Sequence, residues 1–257
     1  MASTETTVSD RPPALSPPTL SPPALSPPTL SEVLRSLAFY VVFYCGSVVL
    51  VSLNMLTLLL PPGALLVMVR VWCRWHRWCC RHLLGIRVVV EGRMPDHPVL
   101  VAMRHESFFE AIDLPNLLRN PMIFAKQELL SIPLWGRLGR RYGLIAVDRD
   151  AGARALRSMI RAMRANGAAA ERPLVIFPEG TRVPHGEVWP LQAGFAGLYK
   201  MAGLPIVPIA VDSGPLYHRR WKRAGVIRYR IGTELPPGLP RATIETAVQE
   251  AINVLKA

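Results

Sequence analysis

Two short runs about 70 residues apart carry the side-chain types needed for general-base chemistry on an anionic molecule. The first is Arg104-His105-Glu106-Ser107-Phe108-Phe109-Glu110, and the second is Phe177-Pro178-Glu179-Gly180-Thr181-Arg182. Imidazole takes up and returns a proton near neutral pH. A carboxylate five residues on is too far away to share one face of a continuous helix with it. If His105 lies in a turn and Glu110 in the first turn of the next helix, however, the carboxylate holds one ring nitrogen and leaves the other to accept a proton. The same glutamate has a second reading. Ser107-x-x-Glu110 is a capping box, which closes a helix N-terminus without any catalysis, and Asp113 is a second candidate partner for the histidine. In the second run, Pro178 ends a buried strand and Gly180 lets the backbone turn close to a ligand. Arg182 presents a planar fork suited to phosphate, and Glu179 stands where it can hold that fork or a substrate hydroxyl. A surface turn with a solvated arginine is the plain alternative for the same residues.

Strands and helices must bring these runs together. Stretches rich in β-formers occur at 86–90, 99–103, 144–147, 174–177, 206–211 and 226–231, and helical patterns at about 108–118, 151–166, 191–202 and 241–256. This alternation predicts an α/β fold, a mixed β-sheet flanked by helices, with active residues at strand ends and in the turns that follow. Within 151–166, Leu156, Met159, Ile160 and Met163 form an apolar face opposite Arg154, Arg157, Arg161 and Arg164, which reads as a solvated basic face. His185 and His218 lie in loops bounded by glycine and proline and are expected to face solvent.

Upstream, residues 37–60 are almost continuously apolar. As a helix they would extend about 36 Å, against a bilayer core of about 30 Å. Pro61-Pro62-Gly63 interrupts the run, and a second helix is expected from Ala64. Along that helix Arg70, Arg74, Arg77 and Arg81 form one stripe among Trp72, Trp75 and Trp78, a composition typical of a headgroup boundary. The pair predicts a membrane-embedded helix or helical hairpin, spanning or re-entrant, in contact with membrane phospholipids. Its arginines place the downstream domain on the cytoplasmic face of the inner membrane. Residues 12–31 repeat a Ser-Pro-Pro-Thr/Ala-Leu unit, which forms neither helix nor sheet and favours an extended spacer. The expected organisation is therefore a proline-rich tail over 1–31, an anchoring segment over 32–84 and a catalytic domain over 85–257.

The formal charge of +12 is divided as about −1 over residues 1–31, +4 over 32–84 and +9 over the remainder, which favours anionic partners. No basic run interleaved with stacking aromatics appears in the globular part, so nucleic acid is not expected. Cys45, Cys73, Cys79 and Cys80 lie outside both runs and show no CxxC spacing, consistent with a reducing compartment. Cys73-x-x-His76-x-x-x-Cys80 has zinc-ligand residue types on one helical face, but its setting among tryptophans and arginines argues against a metal site.

These blocks resemble the glycerolipid acyltransferase family, in particular the bacterial 1-acylglycerol-3-phosphate acyltransferases, over roughly residues 35–235. His105 to Glu110 is similar to the His-x4-Asp motif. Lys126-Gln127-Glu128-Leu129 through Pro133, Gly136 and Val147-Asp148-Arg149 is similar to a second block, Phe177 to Arg182 to a third, and Leu204-Pro205-Ile206-Val207-Pro208-Ile209 to a fourth. The chain departs from the pattern at Glu110, where aspartate is usual, and at Arg104, where asparagine is usual. The resemblance implies that His105, oriented by Glu110, deprotonates the sn-2 hydroxyl of lysophosphatidic acid. An acyl thioester on coenzyme A or acyl carrier protein would be the co-substrate, with no cofactor and no metal, and phosphatidic acid the product. Lys126 and Arg182 would bind the phosphate with help from Arg149, and Glu179, Gly180 and Thr181 would line the acceptor site. Another acceptor, such as glycerol 3-phosphate or a lyso-ornithine lipid, stays open at this stage, as does a catalytically silent lipid-binding protein.

Overall fold

The computed structural model describes residues 27–147, 153–165 and 172–256; of the repeat over residues 12–31, residues 12–26 lie outside them, and Leu30 and Ser31 open a helix instead of continuing the extended spacer, because the prolines have ended and Thr29 caps it. Helix α1 (Leu30–Leu56) begins at a capping box in which Thr29 and Glu32 satisfy each other's backbone amides. A short 3₁₀ turn (Thr57–Leu59) leads to α2 (Pro62–Cys79). This second helix starts two residues earlier than expected because Pro62 sits in its first turn, where its missing N–H costs nothing. A wide turn (Cys80–Leu84) closes on Gly85 at φ 74°, and the sheet begins.

Seven strands form one sheet among the described residues: β1 (Ile86–Glu91), β2 (Leu100–Met103), β3 (Met122–Lys126), β4 (Leu144–Val147), β5 (Leu174–Ile176), β6 (Ile206–Val211) and β7 (Gly225–Ile231). Their order is β1-β7-β6-β2-β5-β3-β4. Every neighbouring pair is parallel except β6 with β7, so the sheet is mixed. The connecting helices are α3 (Phe108–Leu117), α4 (Gln127–Ser131), α5 (Trp135–Tyr142), α6 (Ala153–Ala165), α7 (Gly194–Ala202), α8 (Gly214–Tyr217) and α9 (Arg241–Ile252). Strand β3 and helices α4, α5 and α8 were not anticipated. The Met122–Lys126 run is short and fully apolar until its end, so it shows no alternation by which to recognise it.

Strand β2 is buried on both faces, and its period of two divides the core. Val101 and Met103 face a cluster with Phe39 and Phe43 of α1, Leu65 of α2 and Phe109 of α3. Leu100 and Ala102 face the other cluster, with Met159 and Ile160 of α6, Phe195 and Leu198 of α7, and Ile244 and Val248 of α9. On α6, Met159 and Ile160 point inward while Arg154, Arg157 and Arg161 are exposed; the side chains of Met163 and Arg164 lie outside the described set.

The first two helices are thus built into the domain core. The opposite face of α1 exposes Leu34, Leu37, Val41, Val48, Leu53 and Leu56. Near its start, Tyr40 Oη donates to the Arg220 carbonyl, Ser36 Oγ accepts from Lys222 N at 2.8 Å, and Glu32 pairs with Arg223 at 3.1 Å. Beyond its far end, Arg141 donates to the carbonyls of Leu58 and Leu60. Helix α2 is fixed to α3 by the bidentate pair of Arg77 with buried Asp113, which also receives Asn116 Nδ2 at 2.8 Å and Tyr229 Oη at 3.2 Å. Asp113 is therefore occupied away from His105. Asp113→Ala is expected to lower stability by about 2–4 kcal/mol, as read by thermal unfolding in detergent; an unchanged melting temperature would remove this pair from the account of how α2 is held.

Candidate active site

Parallel strands end together, and the C-terminal edge of β6, β2, β5 and β3 is where both reactive runs emerge. His105 lies two residues beyond β2. Its ring stacks on Phe177 at 4.2 Å between centroids and 27° between planes. Its Nδ1 lies 2.9 Å from Glu110 Oε1, while Nε2 has no partner among the described residues. The turn from β2 into α3 is short enough to fold the fifth residue back, which a helix alone would not do.

Glu110 is fully buried and crowded with donors. Oε1 also accepts the backbone amides of Glu106 and Ser107, both at 2.6 Å. Oε2 lies 2.9 Å from Ser107 Oγ and 2.6 Å from Ser213 Oγ. Both sequence readings of Glu110 therefore hold in one geometry: it closes the capping box of α3 and holds the imidazole. Burial pushes this carboxyl up, but the bond and charge of His105, the Ser107 amide and the Ser213 hydroxyl outweigh it, so Glu110 titrates below the ordinary carboxylate value. An ionised carboxylate accepts from Nδ1–H and leaves the Nε2 lone pair free.

The second run turns beside the first. Gly180 has φ +71°, and a Cβ there would come within 2.6 Å of Gln192 Cγ, so the turn requires glycine. Gln192 clamps it by donating its amide to the Pro178 carbonyl and Nε2 to the Glu179 carbonyl. Val183 N–H then returns to the His105 carbonyl at 2.8 Å, joining the two runs through the backbone. Thr181 and Arg182 are exposed. The Arg182 guanidinium lies 4.4 Å over the Phe108 ring and has no carboxylate partner among the described residues.

Glu179 does not hold Arg182. It is buried beside Arg104, whose Nη1 is 3.6 Å from Glu179 Oε1, and neither carboxylate oxygen has a hydrogen-bond partner among the described residues. Arg104, 1 % exposed, donates to Asn253 Oδ1 and to the carbonyls of Pro184 and Glu187. Its Nε lies 3.4 Å from Glu106. One guanidinium thus faces two carboxylates. Glu106 has further support from Gly214 N–H at 2.8 Å and His185 Nδ1 at 3.0 Å, so Glu179 is the one left to hold a proton. Burial pushes its carboxyl up to about 7, against the pull of Arg104.

This arrangement corrects one expectation. His185 is half-buried on Glu106 rather than solvated, and that hydrogen bond raises its pKa. His218 is exposed. Lys126 is level with Pro178 and Arg104 by register, two strand spacings from β2, or about 10 Å. Its ammonium lies 2.9 Å from Glu128 Oε1, so the structure does not bring it against the dyad. Arg149 lies outside the described residues. His76 bonds Tyr217 Oη at 2.8 Å, and no cluster of three or more metal-ligating side chains occurs among the described residues. Sequence reasoning passed over Ser213, Phe177 and the Arg104 network; only the strand order puts the end of β6 beside the end of β2.

Comparisons with known proteins point in one direction. A family model described as Acyltransferase matches residues 85–212. A 1-acyl-sn-glycerol-3-phosphate acyltransferase of Pseudomonas aeruginosa is 30% identical over 205 residues, 77% of each chain. A mouse (Mus musculus) protein named 1-acyl-sn-glycerol-3-phosphate acyltransferase alpha is 29% identical over 165 residues, 61% of this chain and 56% of that one. The crystal structure of the 1-acyl-sn-glycerophosphate (LPA) acyltransferase PlsC from Thermotoga maritima superposes with a TM-score of 0.71, covering 88% of this chain and 96% of that one. At 20% identity, this last match speaks for the fold alone.

The raised carboxyl of Glu179 has a testable sign. A carboxyl lifted on folding favours the folded state at low pH and disfavours it as pH climbs from the ordinary 4.5 through about 7. Glu179→Gln should therefore raise the melting temperature relative to wild type at pH 8, with the gain shrinking toward pH 5. An equal difference at both pH values would show that Glu179 is ionised throughout.

Proposed function

Since this chain belongs to the acyltransferase family, we propose that it transfers an acyl chain from acyl-CoA or acyl carrier protein to the sn-2 hydroxyl of lysophosphatidic acid, giving phosphatidic acid. The observation that carries this reading is the His105–Glu110 contact with Nε2 left open, next to an exposed Arg182 that has no carboxylate partner among the described residues. Nε2 takes the hydroxyl proton as the oxygen attacks the thioester carbonyl. The tetrahedral adduct then collapses, the carbon–sulfur bond breaks, and the thiolate recovers the proton from the imidazolium. Base assistance of this kind contributes about 10²–10⁴-fold. Arg182, held flat over Phe108, binds the acceptor phosphate. Lys126, at the outer rim of the same sheet edge, has a lesser role, Arg149 assists with the phosphate, and Glu179, Gly180 and Thr181 shape the turn against which the glycerol rests.

The same reading includes attachment to the inner membrane with the domain on the cytoplasmic face. Helix α1 and the turn after it, about 45 Å long by the usual rise, touch the catalytic domain near both ends. A helix tied down in this way lies along the domain rather than leaving it, which supports a hairpin seated in one leaflet over a crossing span.

Two measurements check this. Purified protein in detergent should release thiol from acyl-CoA or acyl carrier protein with lysophosphatidic acid but not with a phosphate-free lysolipid. His105→Ala should abolish turnover, and Arg182→Ala should chiefly raise KM for the acceptor; retention of a tenth of wild-type turnover by the His105 variant would end its role as base. For topology, single cysteines placed at Ser31 and at Leu60 should both react with an impermeant maleimide from the cytoplasmic side only. Labelling from opposite sides would mean that α1 crosses the membrane.

A further inference from the structure

One side chain outside both reactive runs reaches the dyad. Ser213 is fully buried just beyond β6, with Oγ 2.6 Å from Glu110 Oε2 and 2.7 Å from Ser107 Oγ. Ser107 Oγ already accepts Phe109 N–H at 3.0 Å, so the hydroxyl protons of the two serines are directed into the triangle closed by Oε2. The next residue repeats the attachment. Gly214 N–H donates to Glu106 Oε2, and a Cβ at Gly214 would come within 2.9 Å of that oxygen. Both glutamates of the first run are thus latched to one dipeptide that follows the neighbouring strand.

We propose that Ser213 is a positioning residue for the acyl transfer: its hydroxyl fixes the far oxygen of Glu110 so that the near oxygen stays on His105 Nδ1. This rests on the base role given to His105 above. The physical need comes from the length of the side chain. Compared with an aspartate at this position, glutamate has one more rotatable bond, and that freedom must be removed if the carboxylate is to keep its aim. Ser107 comes from the same turn as Glu110 and moves with it. Ser213 comes from β6, so it ties the carboxylate to the sheet.

Without the Ser213 hydroxyl the far oxygen of Glu110 is free to turn, the near oxygen spends less time on Nδ1, and the imidazolium loses part of its stabilisation. The other ionisable groups around the dyad are Glu179 after β5, Arg182 beyond it, Tyr217 of α8 with His218 after it, Tyr229 of β7 and the Arg104–Glu106–His185 network, and all stay in place in Ser213→Ala.

The test uses the full-length protein in detergent, labelled with diethyl pyrocarbonate across pH and read peptide by peptide by mass spectrometry, since only neutral imidazole reacts. Ser213→Ala should lower the His105 labelling midpoint by about one pH unit, while His82 and His97 stay as internal references. It should also lower kcat about 10- to 100-fold at a near-constant KM for the acceptor. Ser213→Thr, which keeps the hydroxyl, should hold the wild-type midpoint. In the Glu110→Asp background, where the shorter carboxylate falls short of Ser213, adding Ser213→Ala should not move the midpoint. An unmoved or raised midpoint in the Glu110 protein, or an equal shift in both backgrounds, would overturn the proposal. The labelling needs no acceptor, so a shifted midpoint in a protein that turns over no lysophosphatidic acid would count against the acceptor alone. Normal turnover with an unmoved midpoint would count against Ser213 alone.

Discussion

A single desolvated carboxylate organises this molecule. Glu110 is shut away from water, and an ion in that position is tolerable only when donors replace its hydration. Those donors come from the turn between β2 and α3, including the residue that caps α3, and from just beyond the end of β6. The requirement to satisfy one charge therefore fixes a strand end, a helix start and a neighbouring strand relative to one another. The bonds that begin α3 are the bonds that aim the imidazole, so helix initiation and preorganisation of the site are one event. Asp113 and Asn116 then tie the same helix to α2, which extends the constraint to the apolar hairpin.

The positive groups divide by depth. Arg104 is sealed in and committed: two carboxylates, two carbonyls and the Asn253 side chain surround it. Arg182 stays at the surface, steadied by the face of Phe108, where its hydrogen-bonding edge is open to an incoming anion. Had the two arginines been paired with Glu179 and Glu106 in the opposite sense, the exposed cation would have been neutralised and the buried one left with a large desolvation cost. The glutamate with the weaker support, Glu179, carries the raised pKa that such an uneven division imposes.

How much of this could be read from the residues follows from the range of each interaction. The strands at β1, β2, β4, β5, β6 and β7 and the longer helices announce themselves through local periodicity, and the His105–Glu110 pair through its spacing. Strand β3 escaped because its run Met122-Ile123-Phe124-Ala125-Lys126 has neither alternation nor the enrichment in β-branched residues that marked the other buried strands. The Ser213 hydroxyl and the His185–Glu106 contact escaped for a different reason. Their partners are 103 and 79 residues away in sequence, and only the strand order makes them neighbours. The choice between capping the helix and holding the imidazole at Glu110 could not be made from spacing because the two are not alternatives: one carboxylate has lone pairs enough for both. Glu179 illustrates the remaining limit, since its type suggested an exposed clamp and its environment made it a buried acid.

Phe39 and Phe43 of α1 pack in the same cluster as Val101 and Met103 of the central strand. Most attachments to a lipid surface behave as detachable modules, joined to their cargo through a linker that carries few contacts. In the proposed membrane attachment, the aromatic side of α1 is interior wall to the sheet and its aliphatic side is left to meet the lipid. The hairpin could not be exchanged for another anchor without rebuilding half the core. The height and tilt of the reactive edge above the lipid would accordingly be set by side-chain packing rather than by the length of a tether, which would make the distance from His105 to the bilayer a property of the fold itself.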